Sequence, residues 1–454
     1  MIHTASILDS RERHVKRRFC MHDAYPNHTI IQLTLSIPGA IKDSFLLREL
    51  FKEGITQLHQ AFPSIAMEEL YFDPTGPQGL LALHTDSAYS IKERACQIET
   101  AYPYARLFDI DIYDSNRQTI SSPYRKQGRT CLLCNHNAVV CMRLRKHSAA
   151  ELQNKIQELL TEFKVEKTKA LSSQAIAIGA LATEAALFEA AAFPSPGLVD
   201  PIHSGSHTDM DFFTFLSSSA ALSHYFSRFF QAGAQHAEPL PTLFPTLRIL
   251  GQQAENAMFQ STQQINTHKG LIFSMALLLG TAGYLSRQTT QLSSSLILKE
   301  LPFLTQNLTK ELAVPNQKPT AGQRFFQIYG ITGIRGEAEN GFPSIRLKGL
   351  PTLSAALHSG IPLRKALLKT LFSLMSVVED TAILNRQPTL STLREVQSTA
   401  AKVIQQGLFE SDDWEKQLWN IDREFTAQRL SPGGSADMLS LTYFLYKLDH
   451  STTF

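Results

Sequence analysis

The sequence predicts a multi-domain protein in which an N-terminal α+β domain is followed by a nearly all-α domain. The chain has 454 residues, whereas one domain usually has roughly 100 to 200. Short β-rich and helical segments alternate between residues 30 and 125, and long Ala/Leu-rich segments with a helical period begin near Gln174. We therefore place a boundary near Thr168, which gives predicted domains 1–168 and 169–454.

The predicted strands of the first domain are short and β-rich. The segment IIQLTLSIP alternates as a strand does, and GLLALHT and RLFDIDIY have similar character, whereas residues 43–62 show helical spacing. Residues 147–174 form a charged, Gly-poor amphipathic segment. This segment predicts either the last helix of the first domain or a rigid connector.

The second domain is predicted to consist of helices separated by Pro/Gly segments such as FPSPGL, AEPLPTLFP and LSPGGS. Its most apolar segment, residues 270–285, is shorter than the roughly 20 residues that cross a bilayer. We therefore expect a buried helix there and no membrane association.

Composition and charge exclude several classes of protein. The 43 Lys and Arg residues nearly balance the 41 Asp and Glu residues, so the net charge is +2, which argues against a protein that coats nucleic acid. The N-terminal segment has no apolar stretch after its charges, unlike a signal peptide. Four of the five cysteines lie in one region, which favours a reducing compartment over a disulfide framework. We therefore expect a cytoplasmic protein without a nucleic-acid partner.

Two aspartates supply the clearest chemistry of the first domain. Asp109 and Asp111 lie in the predicted strand RLFDIDIY, where residues two apart point to the same face. Paired carboxylates can bind Mg²⁺ against phosphates, as nucleotidyl transfer requires, and Arg106 is a candidate phosphate ligand. The alternative is that one aspartate caps a turn while the other is solvated.

Residues 125–147 form a basic segment with six Lys or Arg residues and no acidic residue. Such a segment is typical of a solvated surface, and also of a site for a diphosphate or an acidic protein partner. The sequence alone leaves these alternatives open.

Three cysteines in the same segment are candidate zinc ligands. Cys131, Cys134 and Cys141, with His136 or His147 as a fourth ligand, would suit structural zinc. Reduced, buried thiols are the alternative explanation.

Four polar segments interrupt the predicted helices of the second domain. Gly-rich breaks between helices place backbone amides where they can meet phosphates. Each segment alone also fits a turn between helices, but four of them together favour a polyphosphate site. The segments are FPSPGLVDPIHSGSHTDMDFFTF, INTHKG, GITGIRGEAENGFPS and LSPGGSADML.

These four segments resemble the triphosphoribosyl-dephospho-coenzyme A synthase family, which prepares the prosthetic group of citrate lyase. The resemblance spans most of residues 175–450, with Ser195 where that family typically has Lys. Residues 5–155 resemble apo-citrate lyase phosphoribosyl-dephospho-coenzyme A transferase through RERHVKR, IPGAIKDS, ARLFDIDIY and RTCLLCNHNAVVCMRLRKHS.

The first resemblance implies that the second domain joins ATP to 3'-dephospho-coenzyme A and expels adenine. Because residues two apart on a helix point in nearly opposite directions, we expect one member of each acidic pair to be a bystander. The candidate catalytic carboxylates are Asp209, Asp211, Glu337 and Glu339. The candidate substrate-binding residues are His207, Asn266, His268, Lys269, Arg335, Gly336, Gly433, Gly434 and Ser435, with Asp437 as a candidate Mg²⁺ ligand.

The second resemblance implies that the first domain is nucleotidyltransferase-like and loads the product onto the acyl carrier subunit of citrate lyase. Asp109 and Asp111 would then hold Mg²⁺, and Arg106 with the basic segment would orient phosphate or carrier. Two alternatives remain open at this point. One is the equivalent maturation enzyme of malonate decarboxylase, and the other is a non-catalytic adaptor for a carrier protein.

Overall fold

The computed structural model describes residues 4–39, 41–84, 87–121, 128–134, 136–289, 291–314 and 319–451. Contacts divide the chain into two compact units, residues 1–166 and residues 167–454. The first contains a small antiparallel sheet with helices, and the second is mostly helical. This confirms the predicted order of an α+β part followed by a helical part. Arg125 and Lys126 of the basic segment lie outside the described residues.

The first unit is built on a four-stranded sheet in the order β2–β3–β1–β4, with every neighbouring pair antiparallel. The strands are β1 (Thr29–Leu35), β2 (Ile65–Asp73), β3 (Gly76–Leu83) and β4 (Phe108–Tyr113). The helices are α1 (Thr4–Ala24), α2 (Phe45–Ala61), α3 (Ala88–Ala101), α4 (Ala138–Arg143) and α5 (Ala149–Lys167). The three predicted strands correspond to β1, β3 and β4. The sequence did not predict β2, because this edge strand has no buried residue and therefore no alternating apolar pattern.

The two faces of this sheet are covered differently. One face forms the main core, in which Leu33 and Ile110 of the sheet pack in one buried cluster with Phe51 of α2 and Phe163 of α5. The opposite face has a smaller apolar cluster that includes Met21 of α1. Because α5 belongs to the main core, residues 149–167 are the last helix of the first unit rather than a free connector.

The second unit is a helical assembly in which α6, α7, α9 and α19 pack against one another. Most residues of α9 are buried, as expected for the most apolar segment. No helix in the described part of the chain is long and apolar enough to span a membrane. The helices are α6 (Ser173–Ala190), α7 (Phe212–Ala234), α8 (Phe244–Ser261), α9 (Lys269–Leu285), α10 (Ser294–Leu304), α11 (Lys310–Ala313), α12 (Ala321–Tyr329), α13 (Gly333–Glu339), α14 (Leu350–His358), α15 (Leu363–Met375), α16 (Thr381–Arg386), α17 (Leu390–Gln405), α18 (Trp414–Ala427) and α19 (Gly433–Asp449).

Glycines allow α7 and α9 to approach closely. A Cβ atom on Gly283 would collide with the carbonyl oxygen of Phe230, and one on Gly233 would collide with the carbonyl oxygen of Gly280. These obstacles are backbone atoms, which cannot turn away as a flexible side chain can. The close spacing of the two helices therefore depends on glycine, which has no Cβ atom, at both positions.

We expect Gly283→Ala to destabilise the second unit by about 1 to 3 kcal/mol, because the added methyl group must push α7 and α9 apart. Gly251→Ala on α8 is the matched control, since a Cβ there meets no atom within 4 Å. Removing a mid-helix glycine should stabilise the control by about 0.5 to 1 kcal/mol. Urea unfolding followed by circular dichroism measures both, and equal midpoints for the two variants would contradict the close-packing argument.

Candidate active sites

In the first unit, Asp109 and Asp111 lie on the sheet face opposite the main core, and both are half-buried. In the pairing of β4 with β1, Asp109 is opposite Thr34 and Asp111 is opposite Gln32. The side chain of Gln32 accepts a hydrogen bond at 3.1 Å from Nε2 of Gln78 on β3. A row of polar side chains therefore crosses three strands next to the two aspartates.

A buried acid and an arginine adjoin this aspartate pair. Nη1 of Arg129 donates to Oδ1 of Asp109 at 2.9 Å, and its Nη2 lies 3.3 Å from Oε1 of Glu99. The Glu99 side chain is only 2 % exposed and also accepts the amide hydrogen of Ile110 at 2.9 Å. Arg129 thus links α3, β4 and the basic segment through charge-assisted hydrogen bonds.

Burial and neighbouring acids disfavour the ionised form of Asp111. Burial raises the pKa of Asp111, and the charge of Asp109 raises it further, while Lys92 opposes both effects. Nζ of Lys92 is nearby because it donates to the Ile110 carbonyl at 2.6 Å. Two carboxylates whose oxygens lie on one face can serve as ligands to a divalent cation. Such a cation would relieve the repulsion between them.

Arg106 is placed beside the cysteines rather than beside the aspartate pair. Its Nη2 donates to the carbonyl oxygen of Cys131 at 2.7 Å. It also lines a pocket of about 500 Å³ together with Cys134 and residues of α5. Its contacts therefore hold the cysteine segment in place.

In the second unit, Asp380 occupies the backbone cradle that the glycine motif predicted for phosphate. Its carboxylate accepts hydrogen bonds from the amides of Gly434 and Ser435 at 3.1 and 2.8 Å, and from Oγ of Ser435 at 3.0 Å. Asp380 is 1 % exposed. These donors therefore fix the start of α16 against the start of α19, where Gly433 is the first residue.

Asp437 lies on the next turn of α19, with its carboxylate against Gly270 at the start of α9. Burial raises the pKa of Asp437 well above its ordinary value, and the charges of Glu189 and Asp380 raise it further. Burial also raises the pKa of Glu189 to about 7. Both Asp437 and Glu189 keep part of their surface accessible, so a substrate could reach them.

Glu337 and Glu379 form a second pair of acids, and Glu379 is next to Asp380 in the chain. The Glu337 carboxylate accepts hydrogen bonds from the amide and hydroxyl groups of Ser344. Burial raises the pKa of Glu337, and the charge of Glu379, the residue before Asp380, raises it further. We call Glu189, Glu337, Glu379, Asp380 and Asp437 the acidic cluster.

His207 lies at the other end of α16 and is neutral at pH 7. Arg386 donates to Nδ1 of His207 at 2.9 Å and to the carbonyl oxygen of Ser206 at 2.8 Å. Since Nδ1 accepts, Nε2 carries the hydrogen and donates to Oγ of Ser431 at 2.9 Å. Burial lowers the pKa of His207 to about 4, and the charge of Arg386 contributes. Arg386 therefore supplies the positive charge beside His207, which the sequence predicted as a substrate-binding residue.

His268 is also neutral, because burial lowers its pKa to about 4. Thr267 donates to Oγ of Ser218, and this oxygen lies 2.6 Å from Nδ1 of His268. In the tautomer in which Ser218 donates to Nδ1, the hydrogen of the ring is on Nε2. Nε2 is buried and has no hydrogen-bond partner among the residues that the structure describes.

Two further acidic candidates stabilise local structure. Asp211 is the N-cap of α7 and forms a capping box with Thr214. Glu339 accepts the amide hydrogens of Asn307 and Thr309 at 3.0 and 2.9 Å. Although burial alone would raise the pKa of Glu339, these hydrogen bonds lower it. Asp211 thus caps a helix, and Glu339 holds the turn before α11.

The remaining candidates of the second unit make other contacts. Asn266 accepts the Lys269 amide at 3.3 Å, while Nζ of Lys269 lies 2.8 Å from Glu255. Arg335 lies 3.4 Å from Glu311. Asp209 is exposed and lies 3.8 Å from His207. Gly336 packs on the Thr332 side chain.

Known proteins match both units separately. Residues 2–163 match a family model described as apo-citrate lyase phosphoribosyl-dephospho-CoA transferase, and residues 175–453 match one described as ATP:dephospho-CoA triphosphoribosyl transferase. The chain belongs to both transferase families. The resemblance that the sequence motifs indicated is thereby confirmed for both halves.

Two relatives match nearly the whole chain, and a third matches about half of it. Protein CitXG of Leuconostoc mesenteroides subsp. cremoris is 32% identical over 97% of this chain and 96% of its own length. Protein CitXG of Haemophilus influenzae is 34% identical over 92% of this chain and 90% of its own length. A probable 2-(5''-triphosphoribosyl)-3'-dephosphocoenzyme-A synthase of Vibrio cholerae serotype O1 is 37% identical over 56% of this chain and 82% of its own length.

Sequence reasoning missed several charged residues of both transferase units. Glu189 lies four residues before the segment FPSPGLVDPIHSGSHTDMDFFTF, and its helical context gave no reason to select it. Asp380 and Arg386 flank a short helix without a glycine signal, and Glu99 lies on a helix distant in sequence from its partner Arg129. Only the folded chain brings these groups together.

We expect Asp211→Ala to destabilise the protein by about 1 kcal/mol, because it removes the N-cap of α7. Since Asp211 is committed to that cap, the rate of adenine release should change little. Thermal unfolding and an adenine-release assay measure the two effects, with the exposed Asp412→Ala as the control. A rate loss of about a hundredfold without loss of stability would instead identify Asp211 as a catalytic group.

Proposed function

We propose that this chain is a bifunctional transferase that builds the prosthetic group of citrate lyase and attaches it. The second unit would make 2'-(5''-triphosphoribosyl)-3'-dephospho-CoA from ATP and 3'-dephospho-CoA, with release of adenine. The first unit would transfer the phosphoribosyl-dephospho-CoA group to a serine of the acyl carrier subunit, with release of diphosphate. The observation that carries this proposal is the presence of both family matches on one chain.

In the second unit, the 2'-hydroxyl of dephospho-CoA would attack C1 of the ATP ribose. The C1–O bond forms as the bond from C1 to adenine breaks, and positive charge develops on the ribose. A carboxylate is needed to accept the hydroxyl proton, and its pKa should lie near the working pH. Glu189 meets this requirement because its pKa is about 7 and part of its surface is accessible.

The departing adenine needs a hydrogen-bond donor as it gains electrons. His268 would supply one through Nε2, which has no hydrogen-bond partner among the described residues, in the tautomer that carries the ring hydrogen on that nitrogen. Burial keeps this imidazole neutral at pH 7. Ser218 and Thr267 fix its orientation through the hydrogen bonds to Nδ1.

Charge in the acidic cluster supports binding of ATP together with Mg²⁺. Burial raises the pKa of Asp437, and repulsion from Glu189 and Asp380 raises it further. A divalent cation would relieve that repulsion. Asp437 is the cluster member that we assign to the cation, since Asp380 is already fully hydrogen-bonded by amides. Bound Mg²⁺ would neutralise part of the triphosphate charge.

In the first unit, the serine oxygen of the carrier would attack the phosphorus next to the ribose, and diphosphate would leave. This is nucleotidyltransferase-like chemistry. Asp109 and Asp111 would hold Mg²⁺, which stabilises charge on the phosphates when it is bound. Arg129 lies beside Asp109 and would then be available to a phosphate oxygen.

The acyl carrier subunit would bind the exposed surface of α4 and the residues that follow it. Val140, Met142 and Leu144 are exposed there, although they are apolar. They alternate with the exposed cations Arg143 and Arg145. An apolar surface with positive charges fits an acidic protein partner better than it fits solvent alone.

Two variants should separate the two reactions. We expect Asp109→Asn to release adenine normally but to fail to load the carrier, because only the first unit loses a carboxylate. Glu189→Gln should slow adenine release by about a hundredfold or more, because it cannot accept a proton. Mass spectrometry of reactions with ATP, dephospho-CoA and apo-carrier follows both products.

The same reactions distinguish the alternatives. A non-catalytic adaptor would release no adenine, and a protein that serves malonate decarboxylase would load that carrier in preference to the citrate lyase carrier. Loss of both steps in Asp109→Asn would contradict the assignment of separate reactions to the two units.

The rate of adenine release should depend on pH through Glu189. Its carboxyl is protonated below its pKa of about 7, so kcat/KM should fall about tenfold per pH unit on the acid side and level off above it. Saturating Mg²⁺ keeps the ATP phosphates ionised across the range. The acid limb should be absent from the residual activity of Glu189→Gln.

A stability measurement serves as the control for this variant. Because the folded-state pKa of Glu189 is raised, its contribution to stability is present below its unfolded pKa and is lost as the pH rises through about 7. Glu189→Gln should therefore be more stable than the parent at pH 8, with the difference shrinking as the pH falls and disappearing only below about pH 4.5. An acid limb that persists unchanged in the variant would exclude Glu189 as the base.

A further inference from the structure

Three thiols and one imidazole converge beside the first unit's sheet. The ligand atoms of Cys131, Cys134, Cys141 and His147 all lie within 4.8 Å of one another. Sγ of Cys134 is 3.5 Å from Sγ of Cys141 and 3.3 Å from Nε2 of His147. All five cysteines of the chain are free thiols, so this convergence is not caused by a disulfide.

The backbone around these residues brings the ligands together from a turn and a short helix. The pairing of Thr130 with Asn137, and the 2.7 Å hydrogen bond from the Cys131 amide to the His136 carbonyl, form a tight turn that presents Cys131 and Cys134. Helix α4 then carries Cys141. A hydrogen bond from the Lys146 amide to the Cys141 carbonyl, at 3.0 Å, turns the chain so that His147 returns to the thiols.

We propose that these four residues bind one structural zinc ion. Tetrahedral zinc with Zn–S bonds of about 2.3 Å requires sulfur atoms about 3.8 Å apart, close to the separation of Cys134 and Cys141. Four protein ligands complete the coordination shell and leave no position for water, as in structural rather than catalytic zinc sites.

The structure also decides between the two histidines that the sequence left open as the fourth ligand. His147 joins the thiols, whereas Nδ1 of His136 lies 3.3 Å from Nζ of Lys146. His136 is therefore a natural control in any test of the site.

The zinc ion would position residues of the adjacent transfer site. Arg129 precedes the first cysteine ligand by two residues and donates to Asp109 at 2.9 Å. Arg106 donates to the carbonyl oxygen of Cys131 at 2.7 Å. Loss of the metal would release this segment and, with it, the contact of Arg129 with the aspartate pair. This second part of the inference rests on the proposed transfer reaction, whereas zinc binding itself does not.

Metal analysis tests the site directly. The full chain, purified without chelator, should contain about one zinc per chain by inductively coupled plasma mass spectrometry. Cys134→Ser and His147→Ala should lose most of it, while His136→Ala and Cys96→Ser should retain it. Zinc below about a tenth of an equivalent, iron in its place, or full retention by Cys134→Ser would overturn the proposal.

Cobalt substitution provides a test that does not require the variants to fold. Co²⁺ exchanged into the parent chain should show the visible absorption of tetrahedral thiolate coordination, and one equivalent of Zn²⁺ should remove it. Absorption typical of octahedral Co²⁺ would overturn the proposed ligand set.

The positioning role has its own readout. His147→Ala should release adenine at the parent rate, which shows that the second unit is folded, but it should load the carrier at least about tenfold more slowly. Cys134→Ser should behave in the same way, and His136→Ala should load normally. Normal loading by a zinc-free variant would overturn the positioning role, and loss of loading in His136→Ala would show that the effect does not come from the metal.

Discussion

Repulsion between neighbouring carboxylates is the constraint on which both sites depend. In surroundings with little water, two like charges a few ångströms apart interact far more strongly than they do in bulk solvent. The pKa of Asp111 in the first unit and that of Asp437 in the second are both raised, with burial as the main cause and a neighbouring acid as a further one. In each unit the folded structure therefore keeps carboxylates close together at a cost in the free energy of folding. A substrate that brings a divalent cation would recover part of that energy on binding.

The two units meet this constraint with different structural means. In the first, the alternation of a β-strand places Asp109 and Asp111 on one face, and Arg129 and Lys92 from other elements provide partial compensation. In the second, the acids come from the ends of helices. Asp380 is satisfied by backbone amides and so joins α16 to α19.

This division separates scaffold acids from acids that can act on substrate. A carboxylate whose oxygens already accept several amide hydrogens, as in Asp380, Asp211 and Glu339, has little capacity left for a ligand. Glu189 and Asp437 keep accessible surface together with a raised pKa. They are therefore the acids of the second unit that are best suited to a proton and a cation.

Local patterns in the sequence predicted those features that depend on neighbouring residues. Strand alternation located the aspartate pair, and the spacing of the cysteines gave three of the four zinc-ligand candidates. An N-cap depends on a turn of only a few residues, yet the sequence could not say that Asp211 rather than Asp209 would cap α7. The pairing of Glu99 with Arg129, and of Asp380 with Gly434, joins residues far apart in the chain. No local pattern encodes such contacts, because they arise only when separate elements pack.

The histidines show how burial can reverse an expectation drawn from residue type. The sequence suggested that His207 and His268 contact phosphate or the leaving group, and a phosphate contact would call for positive charge. Burial lowers the pKa of each to about 4, so neither carries charge at pH 7. A neutral imidazole with one nitrogen engaged presents its other nitrogen as a donor of fixed direction. Arg386 instead supplies the cation beside His207, and guanidinium remains charged even where burial would neutralise an imidazole.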